Sequence, residues 1–166
     1  MDVWTEIPGF PGYAVSNRGL VCNDKTGRIL MQSHNQHGVV HVGLFMDGRQ
    51  HKRSVAVLVA NAFLPPPPSP RFNTPIHLNG NRDHNFVENL AWRPRPFAIE
   101  YGKQFKRTYR NRIYVPIENV DTGAVYEDSF EAACKEGLLE RGVVMSVLNA
   151  DDRVFPTGDQ FRIAQK

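Results

Sequence analysis

Apolar positions in this chain come in short bursts cut by turn-formers, not in long helical stripes. Val39 to Phe45 is rich in β-forming residues and stops at Asp47-Gly48, a strong hairpin signal. Upstream, Pro8-Gly9 and Pro11-Gly12 punctuate the start, and Asn17-Arg18-Gly19 and Lys25-Thr26-Gly27 read as turns. Residues 1–50 are therefore predicted to form a small antiparallel sheet. The next burst, Ser54 to Phe63, is apolar without a decisive period. Ala56, Ala60 and Ala62 tilt it toward a buried helix, which Pro65 to Pro68 must end.

Residues 69–96 are irregular. Two short strands, Ile76-His77-Leu78 and Asn89-Leu90-Ala91-Trp92, flank a polar loop holding Asn79-Gly80-Asn81 and Asp83-His84-Asn85. Pro96 then precedes a helix expected over Phe97 to Arg107. In the last third, strands at Tyr114 to Val120 and Ala124 to Tyr126 surround Asp121-Thr122-Gly123. Asp128 or Ser129 caps a helix that Gly137 stops after Glu136. Leu138 to Arg141 form a turn, and Gly142 to Asn149 a second helix. Two short helices joined through a glycine turn resemble a helix-turn-helix, the alternative being a plain helical hairpin packed on a sheet.

Composition narrows the function classes. With 166 residues, 41% apolar and 22% charged, the chain suits one domain or a few small modules and excludes wholesale disorder. No apolar run reaches the roughly 18 residues of a membrane span, and Met1 to Phe10 lacks the pattern of a signal peptide. Cys22 and Cys134 lie far apart with no knuckle spacing, so neither a disulfide framework nor a structural zinc site is expected, and a cytoplasmic location is the default. The net charge of +3 is uneven. Residues 92–114 carry Arg93, Arg95, Lys103, Lys106, Arg107, Arg110 and Arg112 against Glu100 alone, a local charge of +6, while residues 115–166 sum to −5. Tyrosines and Phe105 interleave the basic stretch, as suits a phosphate backbone; a solvated linker reads the same way on charge alone.

The stretch from Ile76 through His77, the Asn79-Gly80-Asn81 loop and Glu88-Asn89-Leu90-Ala91-Trp92 resembles the HNH motif of small phage and intron-borne homing endonucleases. Leu58 to Pro65 resembles the helix before that motif. Trp4 to Phe10 with Gly12 to Gly19 resembles the module that opens many such proteins. Residues 116–164 resemble their C-terminal helix-turn-helix module, through Asp121-Thr122-Gly123, Phe130 to Ala133 and Val147 to Asn149. The resemblance covers nearly the whole chain in one order. It implies an α+β fold: an N-terminal antiparallel sheet module (1–50), a central ββα-metal module (51–113), and a C-terminal β-hairpin with helix-turn-helix (114–166).

The resemblance also implies chemistry. His77 takes the place of the general base that removes a proton from the attacking water, and Asn89 that of the central asparagine that braces the loop and orients the histidine. A divalent cation, Mg²⁺ or Mn²⁺, stabilises charge on the scissile phosphate. This sequence departs where that cation is held. The first ligand of the family directly precedes the histidine, and here it is Ile76. The second lies near the start of the following helix, and nine residues beyond Asn89 stands Ala98. Neither side chain has a donor atom. Asn79 replaces a usual aspartate, and Ala56 a frequent histidine. His84, Asp83 and Glu88 are the candidate substitute ligands.

Three functions follow as expectations. The first is a double-stranded DNA-binding protein on a homing-nuclease frame with reduced nicking, its backbone contacts drawn from the seven cations of residues 92–114. The second is an active metal-dependent endonuclease using substitute ligands. The third is a catalytically dead phage factor that docks on a host protein, suggested by the acidic last third.

Overall fold

At Ser54 a strand becomes a helix without a loop between them. Its backbone is extended, and its hydroxyl accepts the amide of Val57, which satisfies one of the donors a helix start leaves open. The helix that follows, α1 (Val55–Phe63), ends at Leu64, whose extended backbone is what a residue before proline is restricted to. The computed structural model describes all of residues 1–166, and the chain divides into two compact units: Met1–His77 with Asn81–Arg95, and Leu78–Gly80 with Pro96–Lys166.

The first unit opens with a four-stranded antiparallel sheet in the order β1 (Trp4–Glu6), β2 (Tyr13–Ser16), β3 (Val21–Asn23) and β4 (Arg28–Ile29). A second sheet orders β5 (Ser33–His34), β6 (Val40–Met46) and β7 (Arg49–Ser54). Asp47 and Gly48, both at positive φ (51° and 73°), close the β6–β7 hairpin, the backbone that a tight two-residue turn demands. A third, two-stranded sheet pairs β8 (Thr74–His77) with β9 (Leu90–Arg93), Ile76 opposite Ala91 and His77 opposite Leu90. Cross-strand partners share a face and neighbours alternate, so Ile76 and His77 point to opposite sides.

One core runs through the first unit. Phe10 of the β1–β2 turn and Tyr13, Val15 and Val21 of the opening sheet pack with Val42, Leu44, Val55, Val59 and Leu90. This apolar cluster takes in residues on both sides of position 50.

In the second unit, α2 (Arg95–Gln104), all but its first residue there, starts two residues earlier than expected, with Pro96 inside the first turn where its missing N–H costs nothing. A three-stranded sheet orders β11 (Val125–Tyr126), β10 (Ile117–Asn119) and β12 (Phe161–Ile163). No periodic pattern announced β12; its pairing with β10 is long-range. Helix α3 (Ser129–Glu136) is capped by Asp128, whose carboxylate accepts the Glu131 amide at 2.7 Å, and ends at Gly137 in the left-handed region. Helix α4 (Glu140–Leu148) begins inside the stretch expected to be turn. It lacks a side-chain cap of its own. Gln104 supplies one, accepting the Glu140 amide at 3.0 Å while donating to the Leu138 carbonyl at 3.0 Å. Ile117, Ala132, Ala133, Leu138, Val143, Val154 and Phe161 form the core. Along α2, rings meet in sequence from Phe155 through Phe97, Tyr101 and Phe105 to Phe130, Phe97 and Tyr101 stacked and the others tilted or edge-on.

Candidate functional site

His77 ends β8, on the face it shares with Leu90. Its Nε2 lies 2.7 Å from Asn85 Oδ1. The Asn85 amide is oriented by a second bond, Nδ2 donating to the Arg82 carbonyl at 3.1 Å. With Oδ1 thus facing the ring, Nε2 must carry the proton, which leaves the lone pair on Nδ1. Burial is the main influence on the ring and holds its pKa below 6.5; the Asn85 bond pulls the other way, and nearby Arg82 lowers it further. At neutral pH His77 is therefore an uncharged imidazole with a free basic nitrogen.

Asn85 is buried because the opening sheet covers it. Gly19 sits at φ +85°, and a Cβ there would lie 2.8 Å from the Asn85 carbonyl oxygen. Val87 donates to the Asn17 carbonyl at 2.9 Å. Further along the loop, Asp83 meets His34 Nε2 at 2.5 Å, and Arg82 donates to the carbonyl of His37. Asn89, in the short 3₁₀ turn Val87–Asn89, donates to the His84 carbonyl at 2.9 Å. This bond ties the end of the loop back to its middle. The side chain on the His77 ring is Asn85, which sequence reasoning passed over. Its signal was an amide three residues beyond Arg82, a spacing that only the folded loop makes meaningful.

The side chains of the His77 strand and loop do not fit a divalent cation. Ile76 is 3% exposed and wholly hydrocarbon; Ala98, the second position of the resemblance, lies on α2 in the other unit and is likewise hydrocarbon. Asp83 already faces His34, His84 Nε2 lies 3.3 Å from Asn81 Nδ2, and Glu88 is solvent-exposed. No three His, Cys, Asp or Glu side chains are grouped as such an ion requires.

The cations of residues 92–114 divide by role. Arg93 donates to the Trp92 carbonyl at 2.8 Å, Arg95 is exposed at the start of α2, and Lys103 pairs with Glu100 at 3.1 Å. Lys106, Arg107 and Arg110 are exposed. Arg112 differs from these. Its guanidinium grips buried Glu140 with two bonds, 2.7 and 3.0 Å, and lies 4.3 Å over the Phe130 ring. Ser129 donates a third bond to the same carboxylate at 3.0 Å. The paired carboxylate raises the pKa of Arg112. This arginine holds α3 and α4 together and has no free fork for a phosphate. Conversely, β7 exposes Arg49, Lys52 and Arg53, a basic edge that the even charge balance of the first half concealed. No helix is long and apolar enough to cross a membrane.

Comparison with known proteins finds several relatives of the chain. Residues 2–45 match the NUMOD4 motif. The chain is 30% identical to DNA endonuclease I-HmuI of Bacillus phage SP01, with 96% of each chain covered. It is 31% identical over 139 residues to an uncharacterised HNH endonuclease of Acanthamoeba polyphaga mimivirus, covering 81% of this chain and 39% of that longer protein. The solved structure of the HNH homing endonuclease I-HmuI superposes with a TM-score of 0.55 at 26% identity, covering 99% of both chains.

Proposed function

The chain belongs to the HNH homing endonucleases, and on that premise we propose that it binds double-stranded DNA on a nuclease frame whose metal-dependent nicking is impaired. One observation supports the second half of that reading: hydrocarbon side chains, Ile76 and Ala98, at both positions where the resemblance expects metal ligands. The family generally uses a divalent cation to stabilise charge on the phosphate during hydrolysis. His77 retains what proton removal needs, a neutral ring with Nδ1 free and Nε2 held by Asn85. Without an electrophile on the opposite side of the phosphate, a base alone leaves the largest part of the barrier standing.

Duplex DNA is the partner the family position implies. Lys106, Arg107 and Arg110 suit its backbone, with Arg93, Arg95 and Lys103 nearby in sequence. On this reading Arg49, Lys52 and Arg53 along β7 add a second basic edge, a two-stranded ribbon being of a size the major groove admits. The α3–α4 pair serves as the helix-turn-helix, with α4 toward bases.

Supercoiled plasmid incubated with the protein and Mg²⁺ or Mn²⁺, beside a gel shift on the same DNA, tests the proposal. Binding with nicking at or near background is expected. Efficient nicking that disappears in His77→Ala would establish the active-endonuclease alternative instead, with ligands drawn from His84, Asp83 or Glu88.

A further inference from the structure

Helix α4 turns an unusual face outward. Val143, Val144 and Ser146 are buried, so the outward stripe runs through Arg141, Met145, Leu148 and, at the C-cap, Asn149. A helix on a protein surface ordinarily carries charged and polar side chains there. Here Met145 is 47% exposed and Leu148 71%. Arg141 and Arg153 line one hollow with Met145 and the exposed ring of Phe155. Two acids, Glu100 and Asp152, border the same hollow, and Lys103 answers Glu100 at 3.1 Å.

We infer that the Met145–Leu148 stripe of α4 recognises thymine through its 5-methyl group in the major groove of duplex DNA, an inference that rests on the DNA-binding function proposed above. The physical case is one of matching surfaces. The major groove presents donors, acceptors and a single kind of apolar handle, the thymine methyl. A stripe with no hydrogen-bonding atom between its ends gains nothing from donors and acceptors and reads only that methyl. The polar ends fit the same ligand. Arg141 is exposed and offers positive charge to a phosphate, while Arg153 on the same hollow is already paired with Asp121 at 3.2 Å. Asn149, exposed at the helix end, has the amide that pairs with an adenine edge, and adenine is the base opposite thymine. A purely apolar partner would leave Arg141 without an anion.

The experiment compares affinities at one fixed salt concentration for three duplexes: alternating dA·dT, the same duplex with uracil in place of every thymine, and alternating dG·dC. Removing the methyls is expected to weaken binding about fourfold for each one contacted, the worth of one buried methyl group. The double variant Met145→Ser with Leu148→Ser should bind the thymine and uracil duplexes equally, at the affinity of the wild type for uracil DNA. Both positions are exposed, so an unchanged thermal melt is expected to accompany that result. Equal wild-type affinity for thymine and uracil duplexes overturns the inference, as does a thymine preference that survives in the double variant. Absence of binding to all three duplexes would instead overturn the DNA-binding function beneath it.

Discussion

The Oδ1 atom of Asn85 lies 2.7 Å from Nε2 of His77, and this pair fixes which nitrogen of the ring is basic. The pair also sets a pH dependence. Burial lowers the His77 pKa from 6.5, so the unfolded chain binds more protons than the folded one in the window just below that value. The stabilising contribution is fully present above pH 6.5 and fades as pH falls through the lowered folded pKa. An NMR titration should place the His77 midpoint below 6.5, with the neutral ring protonated at Nε2. Asn85→Asp should move the midpoint upward, because a carboxylate favours the imidazolium. A midpoint unmoved by that change would contradict the contact.

Gly19→Ala should disturb the same pair from a distance in sequence. The new Cβ meets the Asn85 carbonyl oxygen at 2.8 Å, on a backbone with φ +85°. A loss of about 1–3 kcal/mol is expected by analogy with other strained backbone positions, read by urea unfolding, together with a shifted His77 titration. A Gly19→Ala protein with wild-type stability and titration would argue against this packing.

Restoring donors should restore chemistry. Ile76→Asp with Ala98→Asn returns oxygen ligands to both family positions, and plasmid nicking in Mg²⁺ or Mn²⁺ is expected to rise by about 10²-fold or more. Ile76→Asp alone buries a carboxylate where a hydrocarbon sat at 3% exposure, so its melting temperature should fall. Failure of the double variant to gain any nicking would show that more than these two side chains separates the chain from an active enzyme.

The cations should separate in a salt series. Lys106→Ala with Arg107→Ala removes exposed charge and is expected to flatten the slope of log affinity against log salt by about 1.8, the release of two phosphate contacts. Arg112→Ala should leave that slope unchanged and instead destabilise the second unit by about 3–5 kcal/mol, because it strands the buried Glu140 carboxylate. A flattened slope in Arg112→Ala would return that residue to the DNA interface.

The local signals that read correctly from sequence were those with a local cause. The Asp47-Gly48 hairpin, the Ser54 start of α1, the Asp128 cap and the Gly137 stop each depend on a few consecutive residues. His77, Ile76 and Ala98 were singled out for another reason, the motif resemblance. What stayed hidden depended on distant parts of the chain. The start of α4 at Glu140 depends on Gln104, β12 on β10, and Arg112 on Glu140. Asn85 stood in plain view within the loop, but its orientation is decided by the backbone of Arg82 and the pressure of Gly19.

The apolar cluster that joins the opening sheet to Val55, Val59 and Leu90 limits how this protein can be taken apart or recombined. Expressed alone, residues 2–45 would leave Phe10, Val15 and Val21 facing water and would not hold their shape. A chimera that carried the stretch into another host would have to bring α1 and β9 with it, or find other side chains to fill their place.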